Sequence, residues 1–172
     1  MKYFILLALS LSYIKSSAQL SDPDLNKIKS QIETESKTLK VRLTKNASDI
    51  FFIEFQLDTF KIERGIDLKN DLDYPTLGMI QATNQAIAEY DILLNKYYKL
   101  LLSKLEPHDK VILQEAQRNW IKFRDSEVVL INLMSEDKYS GGGTIQGVID
   151  SDAFLKITRS RVFELANHLT RN

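Results

Sequence analysis

The apolar positions of this chain recur mostly at helical intervals. Between Asp24 and about Leu43, the residues Leu25, Ile28, Ile32, Leu39 and Leu43 stand three, four or seven apart among many Lys and Glu. That spacing predicts an amphipathic helix with a narrow apolar stripe. Lys45-Asn46-Ala47-Ser48 breaks it. The next segment, Ile50 to Arg64, carries two periods at once: Phe51, Ile53, Phe55 and Leu57 alternate as in a strand, while Glu54, Asp58 and Lys61 recur like the wet face of a helix. Helix is the better reading, because a lone strand would have no partner. Gly65 and the acidic stretch from Asp67 to Asp73 then lead to Tyr74-Pro75, where the residue before proline disfavours helix.

Thr76 is placed to cap a long third helix reaching about Leu105. Glu106-Pro107-His108-Asp109 turns the chain and restarts it, with proline and acid at the start of a fourth helix that runs to about Met134. Ser135 to Gly143 has loop composition, and a last helix spans roughly Thr144 to Leu169 with an expected break near Asp150-Ser151-Asp152. There is no repeat, no low-complexity segment and no convincing strand. The expected fold is therefore all-α, an antiparallel bundle of about four to five helices.

The N-terminus changes the expected compartment. Met1-Lys2 is a short basic start, Tyr3 to Ile14 is almost wholly apolar, and Ser16-Ser17-Ala18 supplies small residues for a signal peptidase. Residues 1–18 read as a signal peptide cleaved after Ala18, and the apolar run is shorter than the roughly 20 residues that span a bilayer. The expectation is a periplasmic or secreted protein with no stable membrane insertion. The chain has no Cys, so neither a lipid anchor nor a disulfide is available. Loss of Lys2 and Lys15 with the leader shifts the net charge from 0 to −2, which disfavours a nucleic-acid partner. The remaining 154 residues suffice for one domain with its own core.

Polar residues at helical spacing carry the candidate chemistry. Asp91, Asn95 and Tyr98 share one helix face, and Gln117, Trp120 and Arg124 share another. In an antiparallel hairpin about Pro107, Asp91 falls opposite Arg124, Asn95 opposite Trp120 and Tyr98 opposite Gln117. These six are expected to form a polar ladder whose members satisfy one another. Glu127 lies in the apolar stripe of Leu113, Ala116, Trp120, Phe123, Ile131 and Met134, and would need Arg124 or Arg161 as a partner. Arg161, three residues after Thr158, is expected to close the last helix against the hairpin.

Catalytic patterns are lacking. His108 and His168 have no metal-ligand spacing, the acidic clusters lack the glycine and terminal glutamate of a calcium loop, and Gly141-Gly142-Gly143 fits no phosphate-binding pattern. The expectation is a non-enzyme with no metal and no cofactor. Asn46-Ala47-Ser48 matches a glycosylation sequon but reads as a plain loop.

Taken together, Leu94-Asn95-x-x-Tyr98, Ala116-Gln117-x-x-Trp120-x-x-Phe123-Arg124-Asp125, the three glycines with Thr144, and Thr158-x-x-Arg161 resemble the LprI-type lysozyme-inhibitor family of small bacterial envelope proteins. The resemblance covers about Pro75 to Leu169. It divides the chain into the leader, an N-terminal helical extension at 19–74 and an LprI-like helical domain at 75–172 packed with it as one unit. Where many relatives carry cysteine, this chain has Ala82, Val128 and Ala153, so packing must replace any covalent link. The resemblance implies a protein that binds a lysozyme or related muramidase; the alternative is a structural or scaffolding helical module of the envelope. A muramidase cleft holds paired carboxylates and is shaped for a glycan, so an inhibitor needs a narrow protrusion with donors, a cation and an aromatic. Lys138, Tyr139, Ser140, Gly142, Gly143 and Thr144 offer that combination; the alternative is that the glycines only supply positive φ for a tight connection while Tyr139 packs on the bundle.

Overall fold

The structure, a computed structural model, describes residues 20–46, 49–72 and 75–170. The expected leader, most of the sequon and the Asp73-Tyr74 step lie outside the described residues. Among the described residues the chain is all-α, with helices α1 (Asp22–Asn46), α2 (Ile50–Leu72), α3 (Thr76–Lys104), α4 (Lys110–Met134), the one-turn α5 (Asp137–Ser140) and α6 (Ile145–Leu169). The segment of mixed period is helical. Its strand-like alternation reflects the burial pattern, since Ile53 and Phe55 are both buried while Phe52 before them and Glu54 between them are exposed.

Three local expectations are corrected. α2 does not stop before Gly65 but runs on through the acidic stretch to Leu72. Gly65 is buried under α1, with Ile32 Cδ1 3.7 Å from where a Cβ would stand. Tertiary contact thus carries the helix across a residue whose propensity costs about 1 kcal/mol. α6 is unbroken at Asp150-Ser151-Asp152, because the buried Ser151 hydroxyl donates to the Val148 carbonyl (3.0 Å) and Asp152 pairs with Lys156 one turn on (2.6 Å). Thr76 is the first residue of α3 rather than its cap; Pro75 occupies the cap position and no side chain caps the helix.

Chain-adjacent helices run antiparallel. Arg64 of α2 grips Glu35 of α1 with two N–H groups (2.7 and 3.1 Å), holding that carboxyl below its ordinary range. Between α2 and α3 the buried Tyr97 hydroxyl donates to Asp58 (2.7 Å) and the buried Tyr90 hydroxyl to Glu63 (2.5 Å). Glu63 also receives Arg159 of α6 (3.0 Å). Burial, reinforced by the carboxylate acceptors, pushes both phenols well above their usual ionisation range.

The most extensive packing joins α3 to α6. Gly147 lies under Ile80 near the start of both helices, and Phe55 bridges Tyr97 and Phe163 near the far end, with ring centroids 5.3 and 4.9 Å away. α3 and α6 are therefore parallel, with Tyr90, Tyr97, Val162 and Leu165 almost wholly buried at the centre of the core. α4 returns the chain between them and packs lightly. It touches α6, makes only sparse contact with α3, and buries just Leu113 and Gln117.

Candidate functional site

Because α4 leans on α6 and stands off α3, the two faces expected to close on each other instead border an open groove of about 670 Å³. From α3 the groove is lined by Asp91, Leu94, Asn95 and Tyr98; from α4 by Gln117, Trp120 and Arg124 together with Gln114, Arg118 and Ile121. A second hollow of about 430 Å³ shares Asp91 and Arg124 and is floored by Phe154, Ile157 and Thr158 of α6.

The expected ladder is thus corrected pair by pair. Asn95 Nδ2 donates to the Asp91 carbonyl on its own helix (2.9 Å), and Arg124 donates to its neighbour Asp125 (3.0 and 2.8 Å). Gln117 Oε1 accepts from Arg161 Nε of α6 (3.1 Å), not from Tyr98. The six residues share one space without satisfying one another, and the physical reason is the tilt of α4 toward α6.

Arg161 does tie α6 to α4. It engages Gln117 and Glu164 (2.9 Å), and its guanidinium carbon lies 5.9 Å from the Trp120 ring centre, with that of Arg124 at 5.4 Å. Two cations near one indole fix the ring, which also packs on the core. Glu127 pairs with neither Arg124 nor Arg161 among the described residues. It tolerates this because half of its supposed apolar stripe is in water: Phe123 is 53% and Met134 51% exposed, and Glu127 is itself only half-buried.

The α4–α6 connection is compact. Ser140 Oγ donates to the Ser135 carbonyl (2.9 Å) and accepts the Gly142 N–H (3.0 Å), so that hydroxyl is engaged inside the loop. Gly141, Gly142 and Gly143 all have φ between 79° and 97°, and a Cβ on Gly142 would also fall 2.7 Å from Asp137 Oδ1. Tyr139 is 55% exposed, and Lys138 lies over its ring (4.8 Å) while pairing with Glu136 (2.9 Å). Thr144 is exposed at the start of α6 and makes no capping bond. The helix ends beside the loop are apolar and exposed as well, with Leu130, Leu133 and Met134 on α4 and Ile145 and Ile149 on α6.

The sequence reading missed Gln114, Arg118 and Ile121 as groove residues. Gln117, Arg118 and Ile121 follow Gln114 by three, four and seven residues, and that shared helix face was the available signal. Among the described residues no cluster of His, Asp or Glu is placed to hold a metal ion, and no helix is long and apolar enough to cross a membrane.

The fold and its site define a small all-α module with an open polar groove and an exposed glycine loop. A family model described as Lysozyme inhibitor LprI matches residues 69–165, more than half of the chain, and the chain belongs to that family. The match opens in the last turn of α2, six residues before the resemblance noted in the sequence, and takes in α3, α4, the loop and most of α6. No curated protein and no solved structure matches the chain.

Proposed function

We propose that this chain is an exported envelope protein that binds a lysozyme or related muramidase and inhibits it without catalysing a reaction of its own. Family membership supports the target class. The observation that carries the choice of surface is the loop after α4, where Tyr139 stands in solvent beside Lys138 and is not folded back on the bundle. A phenol under an ammonium group, followed by backbone that only glycine adopts readily, is a narrow feature suited to a cleft made for sugar rings and lined by carboxylates. The apolar helix ends beside it would widen the contact. In this reading the N-terminal extension 19–74 buttresses the matched domain through the α2–α3 interface, and the leader directs export.

The test is lysis of cell walls by lysozymes of different origin, with and without the purified chain. Lys138→Ala with Tyr139→Ala should abolish inhibition while leaving helical content and melting temperature nearly unchanged. Full inhibition by the folded double variant would remove the loop from the contact surface. No inhibition of any muramidase by the unaltered chain would remove the function itself and favour a scaffolding module.

A further inference from the structure

The groove between α3 and α4 is unlike the other hollows of the molecule in how many hydrogen-bonding groups it leaves unengaged. Gln117 is the most informative of them. It is 7% exposed, and because Arg161 Nε donates to its Oε1, the opposite end of the amide is the NH2. That NH2 has no partner among the described residues, lies at the groove wall, and is not sealed from solvent. An amide so deeply buried normally satisfies both ends. The carboxylate of Asp91, the carbonyl end of Asn95, the Tyr98 hydroxyl and the Arg118 guanidinium also border the groove without a side-chain partner among the described residues. None belongs to the glycine loop.

We infer that this groove is a binding site for a neutral saccharide. The charge on its walls decides against an ion: Asp91 balances Arg118, and Arg124 is already bonded to Asp125. Planar amide, carboxylate and guanidinium groups hold donors and acceptors at the spacing of adjacent ring hydroxyls. Trp120, Leu94 and Ile121 supply apolar wall for the C–H face of a ring. A volume of about 670 Å³ lies within the roughly 300–1,000 Å³ of small-molecule sites. An extended peptide is the competing occupant. It would need a continuous row of backbone partners, whereas the unengaged groups here are side chains confined to Asp91–Tyr98 of α3 and to Gln117 and Arg118 of α4.

Trp120 is the only tryptophan of the chain, so its emission reports on the groove directly. Titration of the full chain with chitotriose, cellotriose and maltotriose, followed by tryptophan fluorescence and calorimetry, should give saturable binding of at least one. Asn95→Ala with Gln114→Ala, both at exposed positions, should weaken it about tenfold or more with an unchanged melting temperature. The Lys138→Ala, Tyr139→Ala variant should bind sugar normally, which separates this site from the loop. Absence of binding for all three sugars up to millimolar concentration, undiminished binding by the Asn95, Gln114 variant, or binding of trialanine in place of sugar would overturn the inference.

Discussion

Replacing Tyr97 with phenylalanine tests the link between α2 and α3 and makes its own pH dependence visible. The ring is 1% exposed and stays in place, edge-on to Phe51 and Phe55, while the hydroxyl that donates to Asp58 is deleted. Hydrogen bonds to a charged acceptor contribute about 1.5–3 kcal/mol. Lys96 remains 2.5 Å from Asp58 and keeps the carboxylate paired, so the loss should lie in the lower part of that range, roughly 1.5–2 kcal/mol near pH 8. For a chain of this size that lowers the melting temperature by roughly 3–8 °C.

The alkaline limb follows from the raised ionisation of the buried phenols. An unfolded tyrosine releases its proton near pH 10, whereas Tyr90 and Tyr97 in the folded chain hold theirs to higher pH. Their contribution is whole below about pH 10 and is lost as pH rises above it, by about 1.4 kcal/mol per pH unit for each tyrosine. Tyr97→Phe removes one of the two. Urea unfolding followed by circular dichroism should therefore show the gap between parent and variant narrowing by about 1 kcal/mol from pH 10 to pH 11, where an unfolded tyrosine goes from half to nearly fully ionised. A gap under about 0.5 kcal/mol at pH 8, or one of equal size at both alkaline values, would refute the reasoning.

Leu165→Ala removes a side chain with no exposure and should cost about 2–5 kcal/mol in urea melts, whereas Phe123→Ala on α4 should change stability by less than about 0.5 kcal/mol. Arg161→Met should free α4 from α6: Trp120 emission shifts to the red, and amide exchange along α4 speeds up while that of α3 does not. Gly142→Ala should destabilise the chain by about 1 kcal/mol or more in thermal melts, because positive φ and the Asp137 carboxylate both oppose a Cβ, with Gly141→Ala milder since only φ opposes it there. The Arg64–Glu35 pair should matter only above the ordinary glutamate range: the lowered Glu35 ionisation adds stability at neutral pH that is lost as pH falls through it, so Glu35→Gln should flatten the acid limb of the stability curve.

Helix existence was legible because Leu25, Ile28 and Ile32, or Leu113, Ala116 and Trp120, repeat at intervals that only a helix uses. Where helices end was less so. Gly65 and Asp150-Ser151-Asp152 look like breaks in isolation, but the first is buried beneath Ile32 and the second is held by a hydroxyl turned back on its own helix. Unlike Gln114, Arg118 and Ile121, the groove residues Asp91, Asn95, Tyr98, Gln117, Trp120 and Arg124 were legible as a set, since polar side chains stood where apolar ones would pack. Their pairing was not, because opposing positions across a hairpin meet only if its arms are pressed together. Contact between α4 and α6, set by Arg161 some forty residues downstream, is a tertiary matter that local spacing does not encode.

The parallel alignment of α3 and α6 places a constraint on length that no contact expresses. Two parallel helices cannot be joined by a short turn; the chain must first travel back the whole way. α4 is that return path, and it has 25 residues, as does α6, each about 37 Å long. Insertions or deletions within α4 would therefore misalign the start of α6 against Ile80, while its outward residues bear little on the core. Over evolutionary time such a segment should hold its length and drift in its outer face, leaving a ruler whose surface can be rewritten for a new partner while the bundle beneath it stays the same.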